Sequence, residues 1–318
     1  MRGIFMYNNI TECLNSQEQK KILAILSEKK LIQANLSQHL IAALQQTDHS
    51  SEDIINRIQC CGNFISLSTD GKIIGANFCK HRLCPICQWR LSRKVYAQSR
   101  LMQIKAEEYE PNNKYVFLTL TLRNEKTIGV GIDKLQAGIH RLLATKQVKR
   151  SIRGFIKTVE ITYKSDDKTW HPHIHMILAV PHNYYTDSDV YISHNQWMKM
   201  WRRAAKINYD PWVDIRTITD KDIQGAAIAE ISKYAVKPID LSEADDETSL
   251  YKDLINHTYK RRLRSYGGIY KQAAANIKID IENPLDRNMQ QDDDAINYIY
   301  DQGYKLYDAR INGEIYKD

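Results

Sequence analysis

The order of elements along the chain predicts an α+β fold in which helices flank a central antiparallel sheet. The stretch KYVFLTLTLRN has the alternating apolar and polar residues of a strand. IRGFIKTVEITY and WHPHIHMILAV also read as strands, and the turn-like KSDDKT would join them as a hairpin. Segments with the apolar spacing of helices lie between the first strand and the hairpin, and between the hairpin and a later strand. The resulting β-α-β-β-α-β-α order favours helices on one face of the sheet.

The chain ahead of the sheet divides into a helical region and a cysteine-rich module. Residues 1–55 are predicted to be helical, because EQKKILAILSEKKLIQANLSQHLIAALQQ places apolar residues three and four positions apart. Residues 56–108 combine a cysteine-rich stretch that lacks clear periodicity with the basic helix QWRLSRKVYAQSRLMQIKAEEY. We interpret this segment as a small zinc-ribbon-like module followed by a helix.

The sheet is predicted to occupy residues 109–240. A helix over roughly residues 133–149 follows the first strand. After the hairpin come a helix containing NQWMKMWRRAA, the short strand WVDIRTIT, and a helix through DIQGAAIAEISKYAVK that Pro238 ends. Residues 241–318 open with the acidic DLSEADDETS, which we expect to be a linker, and continue as a helical or partly disordered C-terminal region.

Composition and charge narrow the class of partner. A chain of 318 residues with 43% hydrophobic content can bury one main core with smaller appendages. The N-terminus lacks a signal-like apolar core and no apolar run has spanning length, so we expect a cytoplasmic protein. The net charge of +7 is uneven, with cations concentrated in residues 80–105, which favours an acidic polymer such as nucleic acid as partner.

Four cysteines have the spacing of a structural zinc site. The knuckle CPIC follows two single cysteines, and the predicted ligands are Cys61, Cys79, Cys84 and Cys87. Thiolates about 2.3 Å from zinc need both close partners and a returning loop. Cys60, which adjoins the first ligand, and His81, which lies inside the set, remain rival ligands. A redox C-x-x-C pair is the alternative, but such a pair needs no upstream partners.

Three histidines alternate in WHPHIHMIL. Residues two apart on a strand share a face, so His171, His173 and His175 project to the same side. The outer two lie about 13 Å apart at about 3.3 Å per residue, too far to bind one ion together. His173 and His175 are therefore the predicted metal-binding pair, and His171 becomes a supporting or substrate-contacting residue.

The adjoining strand supplies a third ligand if the apolar residues of both strands share the core face. Val159 and Ile161 would then face the core, and Glu160 would lie on the side of the histidines. Two histidines and one carboxylate with open positions suit a divalent ion that acts as a Lewis acid. The alternative is an H-x-H of two ordinary polar residues on an exposed strand face.

The stretch AEISKYAVKP would bring a carboxylate, a phenol and an amine together. Glu230 and Tyr234 are four residues apart and so share a helix face, and Lys237 follows three residues later. Since the chain has 19 tyrosines, an ordinary amphipathic helix with a Glu and Lys surface is the alternative.

These motifs together resemble the HUH endonucleases, and the sequence looks most like plasmid rolling-circle replication initiators of the staphylococcal Rep type. The matching stretches are CG at Cys61, CPICQWRLSRK, FLTLTLRN, HPHIHMIL, EISKYAVK and RRLRSYGGIYK. They occur in the family's order over roughly residues 55–271. The first 50 residues and the acidic tail fall outside the resemblance.

The resemblance implies an HUH palm of ferredoxin-like type and a DNA-nicking activity. Its tyrosine maps onto Tyr234, which would attack single-stranded DNA and leave a 5′-phosphotyrosine and a free 3′-hydroxyl. Its glutamate maps onto Glu230, which would activate water for the terminating cleavage. Lys237 or the metal would activate the phenol. His173, His175 and Glu160 would hold Mn or Mg, while zinc would occupy the cysteine cluster.

The expected partner is plasmid origin DNA, single-stranded or as a hairpin. Its phosphates would contact basic residues of two segments, namely Arg90, Arg93, Lys94, Arg261, Arg262 and Arg264. Host helicase and polymerase are expected protein partners, and a homodimer is a further candidate. Two rival hypotheses are an HUH single-strand transposase and a non-catalytic zinc-ribbon DNA-binding regulator.

Overall fold

The computed structural model describes residues 17–67, 73–219, 221–233 and 246–277. These residues divide into two compact units. The first unit holds the described residues up to Leu91 together with those from 246 to Tyr259, and the second unit holds the rest. Among the described helices, none combines the length and the apolar character needed to cross a membrane.

The first unit begins with helices and a small hairpin, and the second contains a larger sheet. In chain order the elements are α1 (Gln17–Gln45), α2 (Glu52–Cys60), β1 (Ile65–Leu67), β2 (Ile73–Ala76), α3 (Pro85–Tyr109), β3 (Lys114–Thr121), α4 (Ile128–Ala144), α5 (Lys146–Ser151), β4 (Gly154–Lys164), β5 (Thr169–Val180), α6 (His194–Ala205), β6 (Val213–Ile218), α7 (Lys221–Ser232), α8 (Glu247–Thr258), β7 (Arg264–Gly268) and α9 (Ile269–Asn276).

In the first unit, the cysteines lie next to the ends of helices and strands. Helix α1 packs against α8, and α2 begins where the Ser51 side chain accepts a hydrogen bond from the Ile54 N–H. Because α2 ends at Cys60, Cys61 follows directly after a helix terminus. The antiparallel β1–β2 hairpin then returns the chain towards Cys79. The predicted helical N-terminal region is confirmed over its described part, whereas this hairpin was not predicted.

The second unit is built on a five-stranded sheet in the order β6-β3-β5-β4-β7. Every neighbouring pair is antiparallel, and β4 and β5 form the predicted hairpin. The predicted α+β class with a central antiparallel sheet and flanking helices is confirmed. Sequence-based boundaries between four segments remain a prediction.

Helices cover both faces of this sheet, so the expectation of helices on one face is wrong. On one face α4 packs against β5, and a Cβ added to Gly131 would lie 2.7 Å from Pro172 Cγ. On the other face a buried cluster combines Phe117, Ile156 and Ile177 with residues of α3, α7 and α9. The sheet therefore has apolar residues on both faces, because part of the second face is also buried. Strand alternation alone predicts only one such face.

Two further boundaries differ from the sequence prediction. The helix expected over residues 133–149 is two helices, since Thr145 adopts extended backbone between α4 and α5 and caps α5 through the Val148 N–H. Strand β7 was not predicted, because RSYGG lacks the β-branched pattern and forms a strand only by pairing with β4. The predicted helix stop at Pro238, the start of the linker and the acidic tail lie outside the described residues.

Candidate metal centres and the histidine groove

The four predicted zinc ligands lie together as one buried cysteine cluster, formed by Cys61, Cys79, Cys84 and Cys87. Measured from sulfur to sulfur, neighbouring pairs are 3.5, 3.6 and 3.7 Å apart. A disulfide requires about 2.05 Å, so these residues are thiols. Four sulfurs at about 2.3 Å from a tetrahedral ion would be separated by about 3.8 Å. The cysteine cluster therefore has the dimensions of a tetrahedral metal site.

Backbone amides and a lysine surround the cysteine cluster. The N–H groups of Lys80 and His81 donate to the sulfurs of Cys87 and Cys79, at 3.2 and 3.4 Å. The Lys30 ammonium donates to the Cys61 carbonyl at 2.6 Å, and burial lowers the pKa of this lysine. Hydrogen bonds to thiolate sulfur stabilise negative charge. Such a shell suits deprotonated cysteines around a cation.

The acid–base behaviour of the cysteine cluster also points to a cation. Hydrogen bonds from the neighbouring thiols lower the pKa of Cys61, whereas the pKa values of Cys84 and Cys87 are raised well above the ordinary value because they share hydrogen bonds with that thiolate. Thiolates this close repel one another. All four can lose their protons together only when a metal ion compensates the charge.

The two rival zinc ligands lie outside the cysteine cluster. Cys60 is exposed, although it adjoins Cys61. The His81 ring accepts a hydrogen bond from the Leu83 N–H through Nδ1, at 3.3 Å. Neither belongs to the group of converging sulfur atoms. Cys13 lies outside the described residues.

Strand register places the predicted divalent ligands side by side. Glu160 on β4 is the direct partner of His173 on β5, and His175 lies two residues further along the same strand. Directly opposite residues on antiparallel strands have Cβ atoms about 5 Å apart and point to the same face. The predicted placement of all three side chains on one face of the sheet is thus confirmed, and we call these residues the histidine site.

The donor atoms of the histidine site converge on one point. Nε2 of His175 is 3.0 Å from Glu160 Oε2, and Nε2 of His173 is 3.3 Å from the same oxygen. Burial alone would raise the pKa of Glu160, but hydrogen bonds with both histidines outweigh it and hold the pKa well below its usual range. Glu160 is therefore an anion at neutral pH, and these three residues could hold a metal ion.

The other nitrogen of each imidazole is fixed by a second partner. Nδ1 of His173 lies 3.2 Å from the His171 carbonyl, and Nδ1 of His175 lies 3.1 Å from Thr119 Oγ1. Because a carbonyl only accepts, the Nδ1–H of His173 donates to the His171 carbonyl, and Nε2 of the same ring faces Glu160. This arrangement of supporting partners is typical of metal-binding histidines.

His171 lies outside the histidine site, as predicted from strand geometry. Its Nδ1 is 2.8 Å from the Asn124 side-chain oxygen, a partner that the sequence did not indicate. Burial and the neighbouring His173 lower the pKa of His171 to about 4, so its ring is neutral at physiological pH.

The histidine site opens into a cavity of about 480 Å³, the histidine groove. Glu230 from α7 reaches this groove, with Oε1 3.8 Å from His175 Nε2. Lys233 also lines it and binds Glu230 Oε2 at 2.5 Å. Lys233 was missed from the sequence, although its spacing of three residues from Glu230 was a usable signal. Tyr234 and Lys237 lie outside the described residues.

The predicted DNA-binding cations differ in accessibility. Arg262 is exposed, Arg90, Arg93 and Arg261 are half-buried, and Arg261 forms an ion pair with Asp133. Lys94 and Arg264 are only 3% and 7% exposed. Because a buried cation cannot approach DNA phosphates, the prediction that these two residues contact DNA is wrong. Arg264 instead donates to the Lys233 carbonyl at 2.8 Å, which anchors the described end of α7.

Comparison with known proteins identifies the family. The model of the Rep_1 family, described as replication protein, matches residues 70–316, which is most of the chain. The chain belongs to this family. The resemblance to plasmid replication initiators of the Rep type is thereby confirmed, and membership supports a role in initiating replication.

Curated relatives of this Rep_1 protein carry the names Protein rep and Replication protein. A Protein rep from Streptococcus pneumoniae serotype 2 is 34% identical over 242 residues, which cover 73% of this chain and 75% of the relative. A Protein rep from a Bacillus species is 35% identical over 67% of this chain and 76% of the relative. A Staphylococcus aureus replication protein is 30% identical over 58% and 82%. No solved structure matches the chain.

Proposed function

We propose that this Rep_1 protein initiates plasmid rolling-circle replication by nicking one strand of origin DNA through Tyr234. One observation carries the proposal: Glu160, His173 and His175 converge in an open groove that also receives Glu230 from the helix preceding Tyr234. Family membership supports a replication role, and the relatives give no support to a transposase. A regulator without catalysis would have no use for this convergence.

The histidine site fits a divalent cation of the Mn or Mg type. It offers two imidazole nitrogens and one carboxylate oxygen, which leaves coordination positions open to the groove. A bound divalent ion would supply Lewis-acid stabilisation of the charge that develops on the non-bridging oxygens of the scissile phosphate.

In the proposed step the Tyr234 oxygen attacks phosphorus. The new bond joins this oxygen to phosphorus, the bond from phosphorus to the 3′-oxygen breaks, and the departing oxygen takes up a proton from water. The products are a 5′-phosphotyrosine and a free 3′-hydroxyl that primes host polymerase. Because the ordinary pKa of tyrosine is near 10, the Lys237 ammonium would favour the phenolate, whose proton passes to solvent.

Glu230 is proposed to activate water for the terminating cleavage. Its Oε2 is bound to Lys233, while Oε1 is turned towards the histidine site. A water held by Oε1 would lose a proton to the carboxylate as its oxygen bonds to phosphorus, while the bond from phosphorus to the 3′-oxygen breaks and the departing oxygen takes up that proton. This route releases a strand by hydrolysis, without a second tyrosine, and so suits an initiator that acts once and stops.

The proposal also assigns residues to DNA binding and a structural ion to the cysteine cluster. Exposed or half-buried arginines, namely Arg90, Arg93, Arg261 and Arg262, would contact phosphates of single-stranded or hairpin origin DNA. Zinc in the cysteine cluster would stabilise the first unit. Host helicase would act on the DNA that the nick opens.

The decisive test is trapping of the covalent intermediate. The full-length protein is mixed with a labelled library of single-stranded oligonucleotides, with and without manganese, and run on a denaturing gel. Wild type should form a manganese-dependent adduct, and Tyr234→Phe should form none. Tyr163→Phe serves as control, because Tyr163 packs against Trp170 away from the donor atoms and should leave the adduct unchanged. An adduct with Tyr234→Phe, or none with wild type, contradicts the mechanism.

A further inference from the structure

Trp212 lies at the rim of the histidine groove with 61% of its surface exposed. Tryptophan is buried in most folded proteins because its ring contributes much apolar area. In the same unit Trp170, Trp197 and Trp201 are almost fully buried. An exposed indole beside a candidate active site therefore needs a partner that covers it.

The backbone holds Trp212 in register with the histidine site. Trp212 precedes Val213, the first residue of β6, and its carbonyl accepts a hydrogen bond from Thr121 Oγ1 at 2.9 Å. Thr121 is in turn the direct partner of His173 on the next strand. Since neighbouring strands lie about 4.8 Å apart, Trp212 is about 10 Å from His173 across two strands. This distance brings a base next to a phosphate held at the histidine site within reach of the indole.

A second aromatic residue, Tyr209, lies three residues before Trp212 in the chain and contacts Arg123. The exposed Arg123 places its guanidinium 4.1 Å from the centre of the Tyr209 ring, and the backbone N–H of Arg123 donates to the Tyr209 hydroxyl at 2.9 Å. Stacked arginine and tyrosine present a flat, cationic surface. Trp212, Arg123 and Tyr209 thus form an aromatic and basic strip leading away from the histidine groove.

The strip ends at a second cavity of about 830 Å³. Its described lining residues include one carboxylate, Asp133, which Arg261 binds, and three cations, Lys134, Arg141 and Lys206. Lys134 binds Glu125, and Arg141 donates to the Ala204 carbonyl, so exposed Lys206 is the lining cation best placed for an external anion. Arg203, one turn before Lys206 on the end of α6, is exposed as well.

We propose that Trp212 stacks on a base of single-stranded DNA next to the scissile phosphate, and that the strip through Arg123, Tyr209 and Lys206 carries the adjoining nucleotides. The proposal rests on the nicking function proposed above and gives its substrate a path. Aromatic rings that alternate with cations are the features by which proteins bind single strands without sequence readout. Bases in a duplex have no free face for stacking, so the same strip disfavours paired DNA.

The test measures binding separately from cleavage. Full-length protein carrying Tyr234→Phe, which removes covalent capture, is titrated with fluorescein-labelled oligo-dT and followed by fluorescence anisotropy. Adding Trp212→Ala should weaken binding by about 5-fold to 160-fold, the range for loss of one stacked base. Adding Trp212→Phe, which retains a ring, should recover most of the affinity. Tyr185→Ala, another exposed aromatic whose hydroxyl binds Thr217, should bind like the parent.

Salt dependence separates stacking from charge. The slope of log K against log salt is negative, and Lys206→Ala should reduce its magnitude by about 0.7, as expected for loss of one phosphate contact on a single strand. Trp212→Ala should leave that slope unchanged. If Trp212→Ala binds oligo-dT as tightly as its parent, or if Trp212→Phe is as weak as Trp212→Ala, the stacking site is wrong.

Failure of this inference differs from failure of the nicking function. Retained manganese-dependent adduct formation together with Trp212-independent binding would overturn the strip alone. Trp212-dependent binding by a protein that forms no adduct would overturn the nicking function and leave the strip as a binding site. Thermal melting of the Trp212 variants should match the parent, because an exposed side chain contributes little to the core.

Discussion

The four sulfurs of the cysteine cluster come from residues 61–87 of one unit, whereas the three side chains of the histidine site come from two strands of a sheet in the other. The cysteines are buried, and sulfur fills every position that a tetrahedral ion offers. The histidine site has one carboxylate and two imidazoles and faces an open groove. The first arrangement suits an ion that stabilises a fold, and the second suits an ion that contacts a substrate.

The two sites also differ in the structural features that bring their side chains together. The cysteine cluster depends on a helix end, a short hairpin and a C-x-x-C knuckle, all close in sequence. The histidine site depends on register, since sliding β4 by one residue would turn Glu160 to the opposite face. We therefore expect variants of the two groups to fail in different ways: the first by loss of folding and the second by loss of chemistry.

The largest effect is expected for Cys84→Ser. Structural zinc sites contribute about 10–16 kcal/mol of apparent binding free energy, which is comparable to the whole stability of a domain. The variant should lose zinc, measured as the metal-to-protein ratio, and the first unit should unfold in a thermal melt. Cys60→Ser is the matched control, because Cys60 is exposed and adjoins the cluster without joining it. Full zinc in Cys84→Ser would contradict the assignment.

A large effect on chemistry alone is expected for His173→Ala. Manganese-dependent nicking should fall by at least about 10²-fold, since Lewis-acid stabilisation contributes several kcal/mol. Zinc content should stay at the wild-type value. His171→Ala changes a ring on the same strand and face that lies outside the histidine site, so it should reduce nicking far less. Loss of zinc from His173→Ala would show that the two sites are not separate.

A smaller effect is expected for Thr119→Val. This change removes the hydroxyl that holds Nδ1 of His175, and loss of such a supporting partner typically weakens metal binding by about 10–100-fold. Titration with manganese alone, followed by calorimetry, measures the change. Thr158→Val is the control: Thr158 is also a register partner of His175, but its hydroxyl donates to the Ile231 carbonyl. Equal losses in both variants would mean that Thr119 acts only through packing.

Both ligand sets could be predicted because period and spacing restrict them. Alternation in WHPHIHMIL selected His173 and His175 over His171, and the apolar pattern of the neighbouring strand selected Glu160. Spacing around CPIC selected four cysteines, and the structure excludes Cys60 and His81 from that set. The proposed roles of Tyr234 and Lys237 rest on sequence and resemblance. Of the described residues at this end of α7, Glu230 and Lys233 line the groove.

By itself the sequence determined the α+β class, the β4–β5 hairpin and the residues of the histidine site, because these follow from the local periods of strands. Short spacings also selected the four cysteines, with Cys60 and His81 left as rivals. Tertiary structure decided what depends on distant partners. Pairing with β4 makes β7 a strand, burial removes Lys94 and Arg264 from the DNA-facing cations, and strand order brings Trp212 to the rim of the histidine groove. Local pattern cannot supply these features, because burial and strand neighbours are set by residues far away in the chain.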